Sequence, residues 1–148
     1  MYFLESSALV KLFIAEKGSD RMIHLVESSE DAMKFASSLA QIEVRSAIRR
    51  RQRGGDITQP NADSALNQLE LEWRRLIEHP LTSAVVSHAL AIVDRQFLRS
   101  LDAVQLATAV AAQSSLPRGQ QMTFVCVDER LLKAAQLEGL KTLNPELG

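Results

Sequence analysis

Residues 122–131, Met122-Thr123-Phe124-Val125-Cys126-Val127-Asp128-Glu129-Arg130-Leu131, pass from an apolar, β-branched run through one acid into helical spacing. Met122–Val127 has the composition of a strand. Asp128 closes it, and Glu129–Leu140 then reads as a long helix with Gly139 as its breaker. The N-terminus repeats the arrangement: Tyr2–Leu4 is a strand, Glu5 closes it, and Leu9, Leu12 and Phe13 fit a short helix. A third run, around Met33–Ala36, gives way to a helix through Arg53. Ser38 followed by Gln41 has the form of a capping box for that helix, and Gly54-Gly55 stops it.

Outward from these junctions, Met22, Leu25 and Val26 fit a short helix. Asn61–Ile77 forms another, with Leu66, Leu69 and Trp73 on one face, and Pro80 interrupts it. Leu81-Thr82 is a candidate short strand. Ser83–Phe97 and Asp102–Gln113 give two more helices, Leu116–Gly119 a loop, and Lys141–Leu143 a weaker strand. Strands alternating with helices predict an α/β layer sandwich around a mostly parallel sheet. With 148 residues and no repeat, low-complexity tract or linker, one domain spanning 1–148 is expected.

The composition, 46% hydrophobic and 24% charged, is that of a globular protein and argues against disorder or coiled coil. A formal net charge of −1 excludes a blanket affinity for polyanions, so nucleic acid would have to be held by a local basic patch or through bound cations. The single cysteine, Cys126, permits no intrachain disulfide. No run of 18 or more apolar residues occurs. No basic leader precedes Tyr2, so the cytoplasm is the expected compartment.

Four acids stand where strands give way to helices or where helices begin: Glu5, Glu43, Asp102 and Asp128. The carboxyl ends of strands in an open parallel sheet form the crevice where ligands bind, and right-handed crossovers can bring all four to one edge. Carboxylates crowded together raise one another's pKa, a conflict that a divalent cation resolves. Oxygen-only ligands favour Mg²⁺ or Mn²⁺. The histidines His24, His79 and His88 have no metal-ligand spacing, which argues against zinc. Cations held this way serve phosphodiester cleavage. Simpler roles remain open. Asp102 can be an N-cap completed by Gln105, and Asp128 can cap the helix that follows it. Glu43, between Ile42 and Val44, and Glu5, at the end of an apolar strand, have no such ready explanation.

The stretches that carry these acids resemble a known family. Leu4-Glu5-Ser6-Ser7-Ala8-Leu9-Val10-Lys11-Leu12-Phe13 is similar to the N-terminal signature of PIN-domain toxins of the VapC type. Ile42-Glu43-Val44 with Ala47 and Ile48, the stretch Leu98–Ala109 around Asp102, and Phe124–Leu131 around Asp128 resemble the second, third and fourth acidic motifs, in order. The resemblance implies a PIN-like three-layer sandwich with about five parallel strands between helices. It implies that Glu5, Glu43, Asp102 and Asp128 bind Mg²⁺ (or Mn²⁺) for hydrolysis of RNA, leaving 5′-phosphate and 3′-hydroxyl ends. It also implies a homodimer, and inhibition by a VapB-like antitoxin whose C-terminal tail enters the groove. Ser6 or Ser7 supports the site through its hydroxyl, or caps the helix at Ala8. Two positions depart from the family pattern: Glu5 stands where Asp is usual, and Cys126 where a hydroxyl residue is usual.

The helix carrying Glu43 also carries Arg45, Arg49, Arg50, Arg51 and Arg53. At about 100° per residue, Arg50 shares the face of Glu43 and is expected on the RNA path. Arg45, Arg49 and Arg53 form an opposite face, read as solvated. Trp73 and Phe97 can stack on bases, but their spacing with leucines favours core or dimer contact. A second functional reading, a catalytically silent PIN fold that binds RNA or an antitoxin, rests on Glu5. A phospho-acceptor receiver domain is excluded, because Glu5-Ser6 and Met33–Leu39 supply neither its acidic pair nor its acceptor Asp.

Overall fold

The computed structural model describes residues 1–147. In chain order the elements are β1 (Tyr2–Leu4), α1 (Ser6–Leu9), a 3-10 turn (Val10–Leu12), α2 (Ser19–Ser28), β2 (Lys34–Ser37), α3 (Ser38–Arg53) and α4 (Gln59–Trp73). They continue with β3 (Ile77–His79), α5 (Ser83–Arg95), α6 (Ser100–Ser114), β4 (Thr123–Val125), α7 (Glu129–Leu137) and β5 (Lys141–Leu143). The five strands form one sheet in the order β3-β2-β1-β4-β5. Every pairing is parallel.

The three central strands, β2, β1 and β4, feed both layers. Phe3, Phe35 and Phe124 are buried on the side of α5, α6 and α7. The next residues, Leu4, Ala36 and Val125, are buried on the side of α1 to α4. That is the two-residue alternation of a sheet covered on both faces. Phe3 and Phe124 lie opposite one another across β1 and β4, their rings stacked 5.6 Å apart at 12°. Both are fully buried, and each contributes about 1.5–3 kcal/mol from burial alone. The result is the expected three-layer sandwich, with the five parallel strands that the resemblance implies. No helix among the described residues is long and apolar enough to cross a membrane.

Several boundaries differ from the sequence expectations, each for a physical reason. The second edge strand is Ile77–His79, not Leu81-Thr82. It is an exposed, three-residue strand beside β2, too short and polar to show alternation. The preceding helix accordingly stops at Trp73. Ser37, rather than Ser38, caps α3 by accepting from the Leu39 amide, because Ser38 turns its hydroxyl toward Glu78 and the His79 carbonyl. The expected box with Gln41 is not formed. Helix α5 ends at Arg95, so Phe97 falls in the link to α6 and is 95% exposed, not core. Trp73 does pack partly against the core, and its indole donates to Glu78. Past α7, Gly139 adopts φ +86°, and the amides of Gly139 and Leu140 close onto the carbonyls of Gln136 and Ala135. This is a Schellman stop, as a glycine at that place allows.

The strand order reverses direction between β1 and β4. That reversal opens a crevice at the carboxyl edge of the sheet, where the chain leaves β1 at Glu5 and β4 at Cys126.

Candidate active site

Glu5, Glu43, Asp102 and Asp128 line a single cleft of about 810 Å³ at that edge, together with Ser6, Ser7, Arg50 and Arg99. Glu5 is the N-cap of α1. Its Oε2 accepts from the Ser7 amide at 2.8 Å and also from the Ser7 hydroxyl. The extra methylene of glutamate lets the carboxylate fold back onto its own helix start. Neither Ser6 nor Ser7 therefore caps α1. The Ser7 hydroxyl instead lies between Glu5, to which it donates, and the Val127 amide, from which it accepts at 3.2 Å, tying the start of α1 to the chain beyond β4.

Glu43 lies in the second turn of α3. Its Oε1 accepts from the Ser6 hydroxyl at 3.0 Å and from the Gln105 amide at 2.7 Å. Asp102 is not the cap of α6. Arg99 holds that position, and Asp102 falls in the first turn, where the helix dipole favours an anion. Its Oδ2 accepts from Arg99 Nε at 3.1 Å. Gln105 completes no box with it and points inward instead. Asp128 does cap α7, accepting from the Leu131 amide at 2.9 Å through Oδ1. Capping and lining the cleft are compatible, because capping uses one oxygen.

A common pattern results. Every one of the four carboxylates has one oxygen engaged, and no hydrogen bond among the described residues reaches the other. The free atoms are Glu5 Oε1, Glu43 Oε2, Asp102 Oδ1 and Asp128 Oδ2, and none of them is sealed from solvent. Burial raises the Glu5 pKa above its ordinary value of 4.5, and the nearby charge of Glu43 adds to that, against the lowering effect of the Ser7 hydrogen bonds. Cys126, fully buried behind the site, receives the Asp128 amide at 3.3 Å on its sulfur. Burial, and then the charge of Glu5, push its thiol pKa up. The cysteine thus serves as an acceptor at the position where the resembled pattern carries a hydroxyl residue.

The arginines divide differently from the sequence expectation. Arg45 pairs with Glu70 at 2.6 Å and Arg49 with Asp63 at 3.0 Å, so this face staples α3 to α4 and is not merely solvated. Arg51 pairs with Glu16. Arg50 lines the acidic cleft with no ion pair among the described residues. Arg99 and Arg130 line an adjoining hollow with Asp102 and Asp128. Two residues that sequence reasoning did not place in the site are Arg99 and Gln105. Gln105 follows Asp102 by three positions and so shares its helix face, which was the available signal.

The chain matches the family model described as PIN domain over residues 2–137. It is 32% identical to Ribonuclease VapC35 of Mycobacterium tuberculosis (strain ATCC 25618 / H37Rv) over 145 residues, covering 98% of this chain and 97% of that protein. It is 31% identical to Ribonuclease VapC49 of the same strain over 148 residues, covering 99% and 97%. Among solved structures it superposes on FitAcB from Neisseria gonorrhoeae with a TM-score of 0.68 at 17% identity, over the whole of both chains. VapBC2 from Rickettsia felis, bound to a DNA fragment from its promoter, gives 0.65 at 12% identity over 97% of each chain. A toxin–antitoxin complex from Klebsiella pneumoniae gives 0.65 at 12% identity over 98% of each. The acids at the ends of a parallel sheet, the family match and a likeness to these ribonucleases that runs over nearly the whole chain agree: the chain belongs to the PIN-domain family, among its VapC members.

Proposed function

We propose that this protein is an endoribonuclease toxin that hydrolyses RNA with a carboxylate-bound Mg²⁺ or Mn²⁺, and that a VapB-like antitoxin inhibits it. The observation that carries the reading is the set of four carboxylates on one cleft, each with one oxygen fixed by the protein and one without a protein partner. The relatives named ribonucleases and the neighbours solved as toxin–antitoxin complexes support it.

The donor set suits a hard cation, being oxygen alone. No three of the acids converge into a ready-made cage among the described residues. Mg²⁺ does not require one, since it keeps several waters and is held by one or two carboxylates. Glu5, Glu43, Asp102 and Asp128 are the residues that would hold it. When bound, such a cation supplies Lewis-acid activation of water and of the phosphodiester. Ser7 and Ser6 keep Glu5 and Glu43 in place, the helix start of α6 holds Asp102, and Arg50 meets a phosphate beside the cleft. Homodimerisation fits the stripe of exposed apolar residues Val86, Leu90, Val93 and Phe97 along α5 and beyond it.

The test is cleavage of a mixed RNA substrate with Mg²⁺, with Mn²⁺ and with chelator, comparing the protein with Asp102→Ala. Metal-dependent cutting with 5′-phosphate ends, lost in Asp102→Ala, is expected. Cutting that persists in chelator or in Asp102→Ala would overturn the reading. One observation favours a second reading, a silent PIN fold that binds RNA or antitoxin: Glu5 spends an oxygen on its own helix start, where the family carries the shorter Asp. On that reading cleavage occurs only after Glu5→Asp.

A further inference from the structure

We infer that Gln105 is a positioning residue that holds Glu43 by Oε1 and so presents Oε2 to the cleft. Gln105 is fully buried, in a helix whose neighbouring positions Ala103, Leu106 and Ala107 are buried and apolar. Its amide nitrogen donates at 2.7 Å to Glu43 Oε1 and at 2.8 Å to the Ser6 hydroxyl. The Ser6 hydroxyl in turn donates at 3.0 Å to the same Oε1. Gln105 therefore does two things: it grips Glu43 directly, and it occupies a lone pair of Ser6 so that the hydroxyl proton points at Glu43. Three helices distant in sequence, α1, α3 and α6, meet in this triangle.

The other end of the side chain shows that packing does not explain it. The Gln105 carbonyl oxygen is buried without a hydrogen-bond partner, an arrangement that costs stability. An apolar residue of the same length would fill the space without that cost. Turning the amide over would set its oxygen against the Glu43 carboxylate oxygen and leave the nitrogen where no acceptor stands. What glutamine alone supplies is a pair of N–H donors at this depth. A divalent cation with strict octahedral demands needs its carboxylates held in one orientation, and Gln105 supplies that for Glu43.

The inference rests on the metal-dependent reading of the cleft, and one experiment separates the two. Gln105→Met keeps the shape and removes the donors; Gln105→His keeps a donor. Wild type and both variants are compared by melting temperature, by Mn²⁺ calorimetry, by kcat and KM on a mixed RNA, and by a crystal structure of metal-free Gln105→Met. Gln105→Met is expected to melt no lower than wild type and to bind Mn²⁺ about 10-fold more weakly. Its kcat is expected to fall about 10- to 100-fold at unchanged KM, with Glu43 rotated from its place, and Gln105→His is expected to regain part of the loss. Full metal binding and kcat in Gln105→Met, or an unmoved Glu43, would overturn the inference. A wild type that neither binds Mn²⁺ nor cuts would overturn the reading of the cleft instead, and the position of Glu43 in the variant crystal would still decide for or against Gln105.

Discussion

Two clusters of charge are sunk into this molecule, and they are built on opposite terms. In one, Lys11 is 3% exposed, and all three donors of its ammonium are used: 2.9 Å to Glu16, 2.7 Å to Glu146 and 2.8 Å to the Lys17 carbonyl. Arg51 adds a second cation on Glu16. The chain end is pressed so close that a Cβ on Gly18, at φ +85°, would meet the Pro145 carbonyl oxygen at 3.0 Å. In the other cluster, four carboxylates face two arginines, and each acid keeps an oxygen without a protein partner. A charge whose every valence is met by the protein is a fastener. Charges left half-met at one edge of the sheet are poised for something the protein does not supply. Burial alone does not distinguish the two, whereas saturation does.

That contrast is broken most severely by removing one member of each cluster. Asp102→Ala is expected to reduce metal-dependent cleavage about 10³-fold, since metal polarisation is worth several kcal/mol. Its melting temperature should stay within a few degrees of wild type. Lys11→Met is expected to do the reverse, with a stability loss of about 3 kcal/mol in a denaturant titration. This is the low end for breaking a buried pair, because Glu16 and Glu146 keep partial access to water. Cleavage per folded molecule should survive. If Lys11→Met instead abolished cleavage in a fully folded protein, the division between fastener and cleft would be wrong.

A smaller effect lies in pH. The folded-state pKa of Glu5 is raised above its ordinary 4.5, first by burial and then by Glu43. Its contribution to stability is therefore fully present below that value and is lost as pH rises through the folded pKa. In chelator, calorimetry across this window should show wild type losing stability relative to Glu5→Gln as pH rises. Mn²⁺ should restore wild type alone. Equal pH profiles for the two proteins would contradict the buried, partly unmatched state of Glu5. The smallest effect is expected at Arg50, outside both clusters' cores. Arg50→Ala should weaken RNA binding and lower the salt slope of log K by about one. An unchanged slope would take Arg50 off the RNA path.

The same contrast explains what could be read from the sequence. The β1 and β4 strands were legible because apolar runs with an acid at the end have few other readings, and those acids mark the sheet edge directly. Glu43 and Asp102 were legible through helix phase and through their resemblance to family motifs. β3 was not, because an exposed three-residue edge strand carrying Glu78 and His79 has no alternation to detect. Phe97 was read into α5, and toward the core, because the helical pattern of α5 runs on past its true end at Arg95. Lys11 and Gln105 were invisible as working residues for a different reason: their partners lie up to 135 and 99 residues away. Only the folded chain brings those partners together.

Whether the unpartnered carboxylate oxygens form a cation site is decided by soaking crystals of the protein in Mn²⁺ and measuring anomalous scattering. A peak is expected in the cleft within bonding distance of at least one of Glu5 Oε1, Glu43 Oε2, Asp102 Oδ1 and Asp128 Oδ2. No peak there at saturating Mn²⁺, or a peak only elsewhere on the surface, would contradict a cation site in the cleft.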